Sequence, residues 1–185
     1  MMAGMLCVLL CHTVAAAPTG AEGVLDLAGR ARDPFARPAH VRVFIFLRAD
    51  CPITNRYAPE LTRIQHVFES QDIEFWLVYP DPQVTAQQIR SHLVQYGFPG
   101  QPLRDPQHEL VKRAHAVTAP EAAVFDAAGT LVYHGRIDDL WVDAGRARPM
   151  ARTHDLEDAI EDTLTGRAVR QPETRAVGCS LADVK

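Results

Sequence analysis

The chain has 185 residues, 47% of them hydrophobic and 23% charged, which is the composition of an ordinary globular protein long enough to bury one sizeable core. A formal net charge of -4 and arginines scattered along the chain leave no basic face, so nucleic acid is excluded as a partner.

Residues 1–17 carry no charged side chain, are apolar from Met5 to Leu10, and close on Ala15-Ala16-Ala17 ahead of Pro18. This pattern predicts a secretory signal peptide cleaved near Ala17, and hence an exported protein, periplasmic or extracellular. The apolar run falls short of the roughly 20 residues that cross a bilayer, so no integral membrane span is expected. Removing the leader takes Cys7 and Cys11 with it and leaves Cys51 and Cys179. Two cysteines in an oxidising compartment suffice for one disulfide.

Residues 18–40 form a lead-in rich in Gly, Ala, Arg and Pro, with Val24-Leu25-Asp26-Leu27 as its one strand-like fragment. A nearly continuous β-branched and aromatic run at residues 41–47 predicts a strand buried on both faces, leading directly to Cys51. After it Tyr57, Leu61, Ile64, Val67 and Phe68 recur three to four apart, which predicts one helix from Cys51-Pro52 to about residue 70. A second buried strand is expected over residues 73–79. Pro80-Asp81-Pro82 then opens a helix over residues 85–96, stopped by Gly97. The stretch containing Pro99, Pro102 and Pro106 reads as a loop, and a short helix at residues 110–114 follows. Strands at residues 122–125 and 130–135 flank the turn Asp126-Ala127-Ala128-Gly129 and make a hairpin. Beyond a polar, Arg-rich loop, Thr153 is the expected N-cap of a helix over residues 155–164. The domain proper thus spans residues 41–166, and residues 167–185 read as an irregular C-terminal tail.

Cys51, at the start of a helix, faces unpaired backbone N–H groups that favour its thiolate. Arg48 and Arg56 add positive potential, and Thr54 offers a hydroxyl to the sulfur. An inert buried cysteine is the alternative reading. Cys179 is either a resolving thiol that reaches back to Cys51 or a tail cysteine, free or held in a static disulfide. The eight histidines show no ligand-spaced pair, so no metal and no cofactor is expected. Asp138, Asp139 and Asp143 read as loop acids with N-cap and arginine partners rather than as a cation site.

The order of elements, with Cys51 at a helix start and Pro120 ahead of a hairpin, resembles the thioredoxin fold. Three stretches, Ala49-Asp50-Cys51-Pro52-Ile53-Thr54-Asn55-Arg56-Tyr57, Thr118-Ala119-Pro120-Glu121 and Gly135-Arg136-Ile137-Asp138-Asp139, look like the peroxiredoxin-like branch of the redoxins. The ending Ala176-Val177-Gly178-Cys179-Ser180 does so too. The resemblance implies an α/β, thioredoxin-like fold: a central mixed β-sheet with helices on both faces. It further implies Cys51 as nucleophile, Pro120 as a cis-proline, and Ala119, Thr54 and Arg136 as residues on the substrate side. The activity implied is that of an extracytoplasmic thiol-disulfide oxidoreductase acting on protein or small-molecule thiols and disulfides, in which Cys51 attacks a disulfide and Cys179 resolves the intermediate. Two alternatives stand beside it. One is a thiol peroxidase in which a Cys51 sulfenic acid condenses with Cys179. The other is a non-enzymatic redoxin, similar to the Sco copper chaperones or adapted to a partner, with His115 ahead of Pro120 as a candidate ligand. Thr54 stands where dithiol thioredoxins carry a second cysteine, so no local Cys-x-x-Cys bridge can form. Arg48 and Phe44 occupy the positions of the threonine and proline of true peroxiredoxins, and the two cysteines four apart of the copper chaperones are missing.

Overall fold

The computed structural model describes residues 23–182, so the leader expected over residues 1–17 lies outside the described residues. Its centre is β1 (Val41–Phe46), buried at all six positions, as its nearly continuous apolar run demands, with Arg42 the one charged side chain among them. Alternate side chains of β1 serve different cores: Val41, Val43 and Ile45 pack on one face of the sheet, Phe44 and Phe46 on the other.

Cys51 ends the loop after β1 and is the N-cap of α1 (Pro52–Arg56). The single helix expected from the apolar spacing is in fact two, because α2 (Ala58–Val67) starts afresh beyond Tyr57. Pro59 explains the break. It has no N–H to give to the carbonyl four residues back, and its ring crowds that carbonyl. The break turns Tyr57 so that its hydroxyl donates to Asp138 Oδ1 at 2.6 Å.

Strand β2 (Ile73–Tyr79) lies parallel to β1. Helix α3 (Ala86–Tyr96) opens on a capping box between Thr85 and Gln88 and closes on Gly97 at φ +69°, where glycine meets no steric penalty. Residues 101–104, expected to be loop, form β3 (Gln101–Arg104), parallel to β2. Pro102 is tolerated because β3 is a sheet edge, paired beyond β2 only through a bridge from Leu25 to Arg104.

Helix α4 (Glu109–Ala114) leads to β4 (Thr118–Ala119), and β5 (Glu121–Phe125) and β6 (Leu131–Gly135) make the expected hairpin. The five-stranded sheet has the order β3-β2-β1-β5-β6, with β5 antiparallel to β1, and is therefore mixed. A small hairpin, β7 (Trp141–Asp143) and β8 (Arg146–Ala147), precedes α5 (Asp155–Leu164). Thr153 does not cap α5. The N-cap is His154 without a side-chain bond, and the Thr153 hydroxyl donates to Asp155 Oδ2 instead.

Residues of α1, α2, α3 and α5 share one core, while Leu110, Val111 and Ala114 of α4 pack with Val24 on the opposite face. The tail first runs beside β6, where Thr174 N–H donates to the His134 carbonyl and His134 N–H to that of Pro172. It then turns to form β9 (Cys179–Ser180), antiparallel to β4.

Candidate active site

Cys51 and Cys179 are brought to the same place. The register of β9 on β4 sets Cys179 opposite Ala119, and the Cys51 Sγ lies 3.3 Å from the Ala119 carbonyl oxygen. Ala119 therefore touches one cysteine by its carbonyl and holds the other by strand pairing. Both cysteines are free thiols, Cys51 fully buried and Cys179 half-buried. The Ala119–Pro120 peptide is cis, the geometry that the resemblance implies.

The tail approaches this closely because residue 178 is glycine. A Cβ there would stand 2.1 Å from the Ala119 carbonyl oxygen, inside any permitted contact. Three further ties hold β9 down. Arg48 Nη1 donates to the Ser180 carbonyl at 2.7 Å while its other nitrogens grip Asp50. Leu181 N–H donates to the Val117 carbonyl at 2.9 Å, and the Leu181 side chain is buried in the core shared with α4. On the other side of the loop the buried Glu121 carboxylate accepts from the N–H groups of Val117 and Thr118, bracing the residues ahead of Ala119.

The two thiols are electrostatically unequal. Burial pushes the Cys51 thiol up, but a hydrogen bond from Cys179, the Thr54 N–H and hydroxyl, and the Ile53 N–H outweigh it and hold the group below its ordinary value. Thr54 Oγ1 is buried and has no other hydrogen-bond partner, which leaves its hydroxyl to the Cys51 sulfur. Cys179 goes the other way: burial, the hydrogen bond to Cys51 and the Cys51 charge push it up to about 12. Of the two, Cys51 is the easier to ionise and Cys179 the one that keeps its proton longer.

Arg136, expected on the substrate side, is held by Asp155 (2.8 and 3.0 Å) and Thr153, and lines a groove of about 950 Å³ together with Thr118, Glu121 and His134. A second cavity of about 410 Å³ is lined by Pro52, Ile53, Arg56, Trp141, Gly178 and Cys179, among others. The Arg56 guanidinium lies 5.6 Å from the centre of the Trp141 ring.

Behind α1, His92 joins Tyr79 to Asn55 in a buried chain. Its Nε2 is 2.7 Å from Asn55 Oδ1 and its Nδ1 is 2.8 Å from the Tyr79 hydroxyl. Burial holds His92 below its ordinary value, which favours the uncharged imidazole. With Asn55 Oδ1 able only to accept, Nε2–H donates to it and the Tyr79 hydroxyl donates to Nδ1. No sequence pattern marks this trio, because its members lie 13 and 37 positions apart in the chain.

The acids of the loop after β6 do not converge. Asp138 accepts from Tyr57, Asp139 from Arg148 and two backbone N–H groups, and Asp143 from Gly145 N–H. His115 sets its ring against that of His134, 5.8 Å away. Among the described residues one group of side chains has metal-ligand proximity, Glu60, His154 and Glu157, and Arg63 already pairs with both of its carboxylates.

No family model matches the chain, and no curated protein matches it. Solved structures do. An uncharacterized conserved protein from Geobacillus kaustophilus superposes with a TM-score of 0.72 at 20% identity, covering 89% of this chain and 91% of that one. A thioredoxin-like protein from Aeropyrum pernix gives 0.56 at 15%, over 79% and 89%. A secreted Mycobacterium tuberculosis disulfide oxidoreductase, described as homologous to Escherichia coli DsbE, gives 0.53 at 16%, over 79% and 96%. The chain is a thioredoxin-fold protein, with the mixed sheet and two helical layers that the resemblance implies.

Proposed function

We propose that the chain is an extracytoplasmic thiol-disulfide oxidoreductase whose working unit is the Cys51–Cys179 pair, with Cys51 as its thiolate. The observation that carries this reading is the double use of Ala119, whose carbonyl meets the Cys51 sulfur while its strand pairing delivers Cys179 to the same point. In the reaction a Cys51–Cys179 disulfide takes two electrons and two protons from a partner's two thiols, leaving two protein thiols and a partner disulfide. A stabilised Cys51 thiolate favours the reduced protein and so makes the couple an oxidant. The leader expected over residues 1–17 supports a place outside the cytoplasm, as does the likeness in fold to a secreted disulfide oxidoreductase. The reading is tested by titrating the full chain against glutathione redox buffers and mapping its peptides without reduction. A reversible link between Cys51 and Cys179 supports it; persistent free thiols in the oxidising buffers refute it.

A further inference from the structure

The redox reading leaves open which of the two sulfurs meets the partner. In a thiol-disulfide exchange the incoming thiolate forms a bond to one sulfur and the other leaves, so access and leaving ability decide between them. Here the two cysteines differ in access. Cys51 is 0% exposed, with the Ala119 carbonyl against its sulfur and β9 alongside, and it contributes nothing to the walls of either cavity near the site. Cys179 is partly exposed and forms part of the wall of the 410 Å³ cavity, next to Gly178 and across from Pro52, Arg56 and Trp141.

We propose that Cys179, rather than the helix-start Cys51, is the sulfur that an exchange partner attacks. This rests on the redox reading of the preceding section. A cysteinyl thiolate of the partner enters the cavity between Trp141 and the β9 strand and places its electron pair on Cys179 Sγ. The Cys51–Cys179 bond breaks, its electron pair departs on Cys51, and the partner is left in a mixed disulfide with Cys179. A second thiolate of the partner then attacks the partner's own sulfur in that mixed disulfide, forming the partner disulfide and releasing Cys179, which takes a proton. Run backwards, Cys51 is the internal nucleophile that clears the mixed disulfide from Cys179.

The surroundings fit each half of this step. The Arg56 guanidinium over Trp141 places a positive charge at the cavity where the incoming thiolate travels. The N–H groups of Ile53 and Thr54 and the Thr54 hydroxyl receive the charge that develops on the departing Cys51. Arg48 favours a charge on Cys179, but burial and the contact with Cys51 outweigh it, so departure of Cys179 after attack on Cys51 is the poorer course on chemical as well as steric grounds.

The test uses the oxidised full chain and glutathione as the attacking thiol. Iodoacetamide is present to cap whichever cysteine is released, and the reaction is stopped with acid. Cleavage after arginine and lysine separates the two cysteines into peptides 49–56 and 176–185. The expected result is glutathione on Cys179 and the alkyl group on Cys51, in excess over the reverse pattern by at least about tenfold. Equal amounts of the two patterns, or glutathione chiefly on Cys51, would overturn the assignment while leaving the redox couple standing. A chain that never forms the internal disulfide would overturn the assignment and the redox reading together.

Discussion

The turn that carries Cys51 and the tail that carries Cys179 reach the same spot by different physics. The first is built locally: six buried strand residues, a short loop, then Pro52 at the first helical position, where its missing N–H costs nothing. The tail has no such local logic. It is held by Thr174 against β6, by Gly178 against the Ala119 carbonyl, by Arg48 on Ser180, and by Leu181 in the core. Half of the site is therefore dictated within about ten residues of sequence, and the other half depends on contacts spanning most of the chain. The first half should survive damage that releases the second.

Leu181→Ala puts the greatest load on that difference. The side chain is 2% exposed, and removing its buried methyl groups costs about 2–5 kcal/mol if the fold cannot close the gap. Denaturant unfolding of the reduced protein measures the loss, which should come with easier alkylation of Cys51. A loss below about 0.5 kcal/mol would mean that the tail is not anchored there.

Gly178→Ala should act on the tail more selectively. The new Cβ meets backbone rather than a side chain that could turn away, so β9 must lift, at an expected cost of about 1–3 kcal/mol. The β1–α1 turn and the five-stranded sheet should persist. The readout is the yield of the Cys51–Cys179 disulfide at a fixed glutathione ratio. An unchanged yield would show that β9 need not be seated for the sulfurs to meet.

These two substitutions fall where sequence reading was weakest. The buried run at residues 41–47, the break at Gly97 and the hairpin about Asp126-Ala127-Ala128-Gly129 are legible because their causes lie within a few residues. Cys51 and Thr54 are legible from their place at a helix start, and the cis peptide before Pro120 through the resemblance. The tail was not, since a two-residue strand has no periodicity to read and Gly178 matters only through a carbonyl 59 positions away in sequence. Strand β3 was missed because its proline is tolerated only at a sheet edge, and edge status is a property of the finished sheet. Arg136, expected on the substrate side, lines the 950 Å³ groove while its side-chain hydrogen bonds go to Asp155 and Thr153, ties that no sequence pattern marks.

Smaller effects should separate the two cysteines electrostatically. Thr54→Val removes a hydroxyl that favours the Cys51 thiolate, and the iodoacetamide reactivity profile of Cys51 in a Cys179→Ser background should shift to higher pH. A profile that does not move would remove Thr54 from the site. The reduced protein also carries a pH signature. Cys51 is held below its ordinary value of 9.0, so its contribution to stability is present above that value and is lost as pH falls through the folded-state value. Cys179 is pushed up to about 12, so its contribution is present below 9.0 and is lost as pH rises toward 12. Together they give the pair's contribution a maximum near pH 9.0, which denaturation midpoints of the reduced chain should show relative to a Cys51→Ser, Cys179→Ser double variant. A difference that is flat with pH would mean that the fold does not shift the two thiols apart.

The central claim is that the locally built Cys51 and the tail-borne Cys179 are one redox couple, and the midpoint potential of the full chain tests it most directly. Equilibration in glutathione buffers, quenching, and non-reducing mapping of peptides 49–56 and 176–185 give the fraction linked at each potential. The account predicts a single two-electron transition with a midpoint above about -300 mV, in the range of disulfides that exchange with other thiols. A link still fully formed well below that potential would make the pair a static staple, and two unlinked cysteines throughout would contradict the couple altogether.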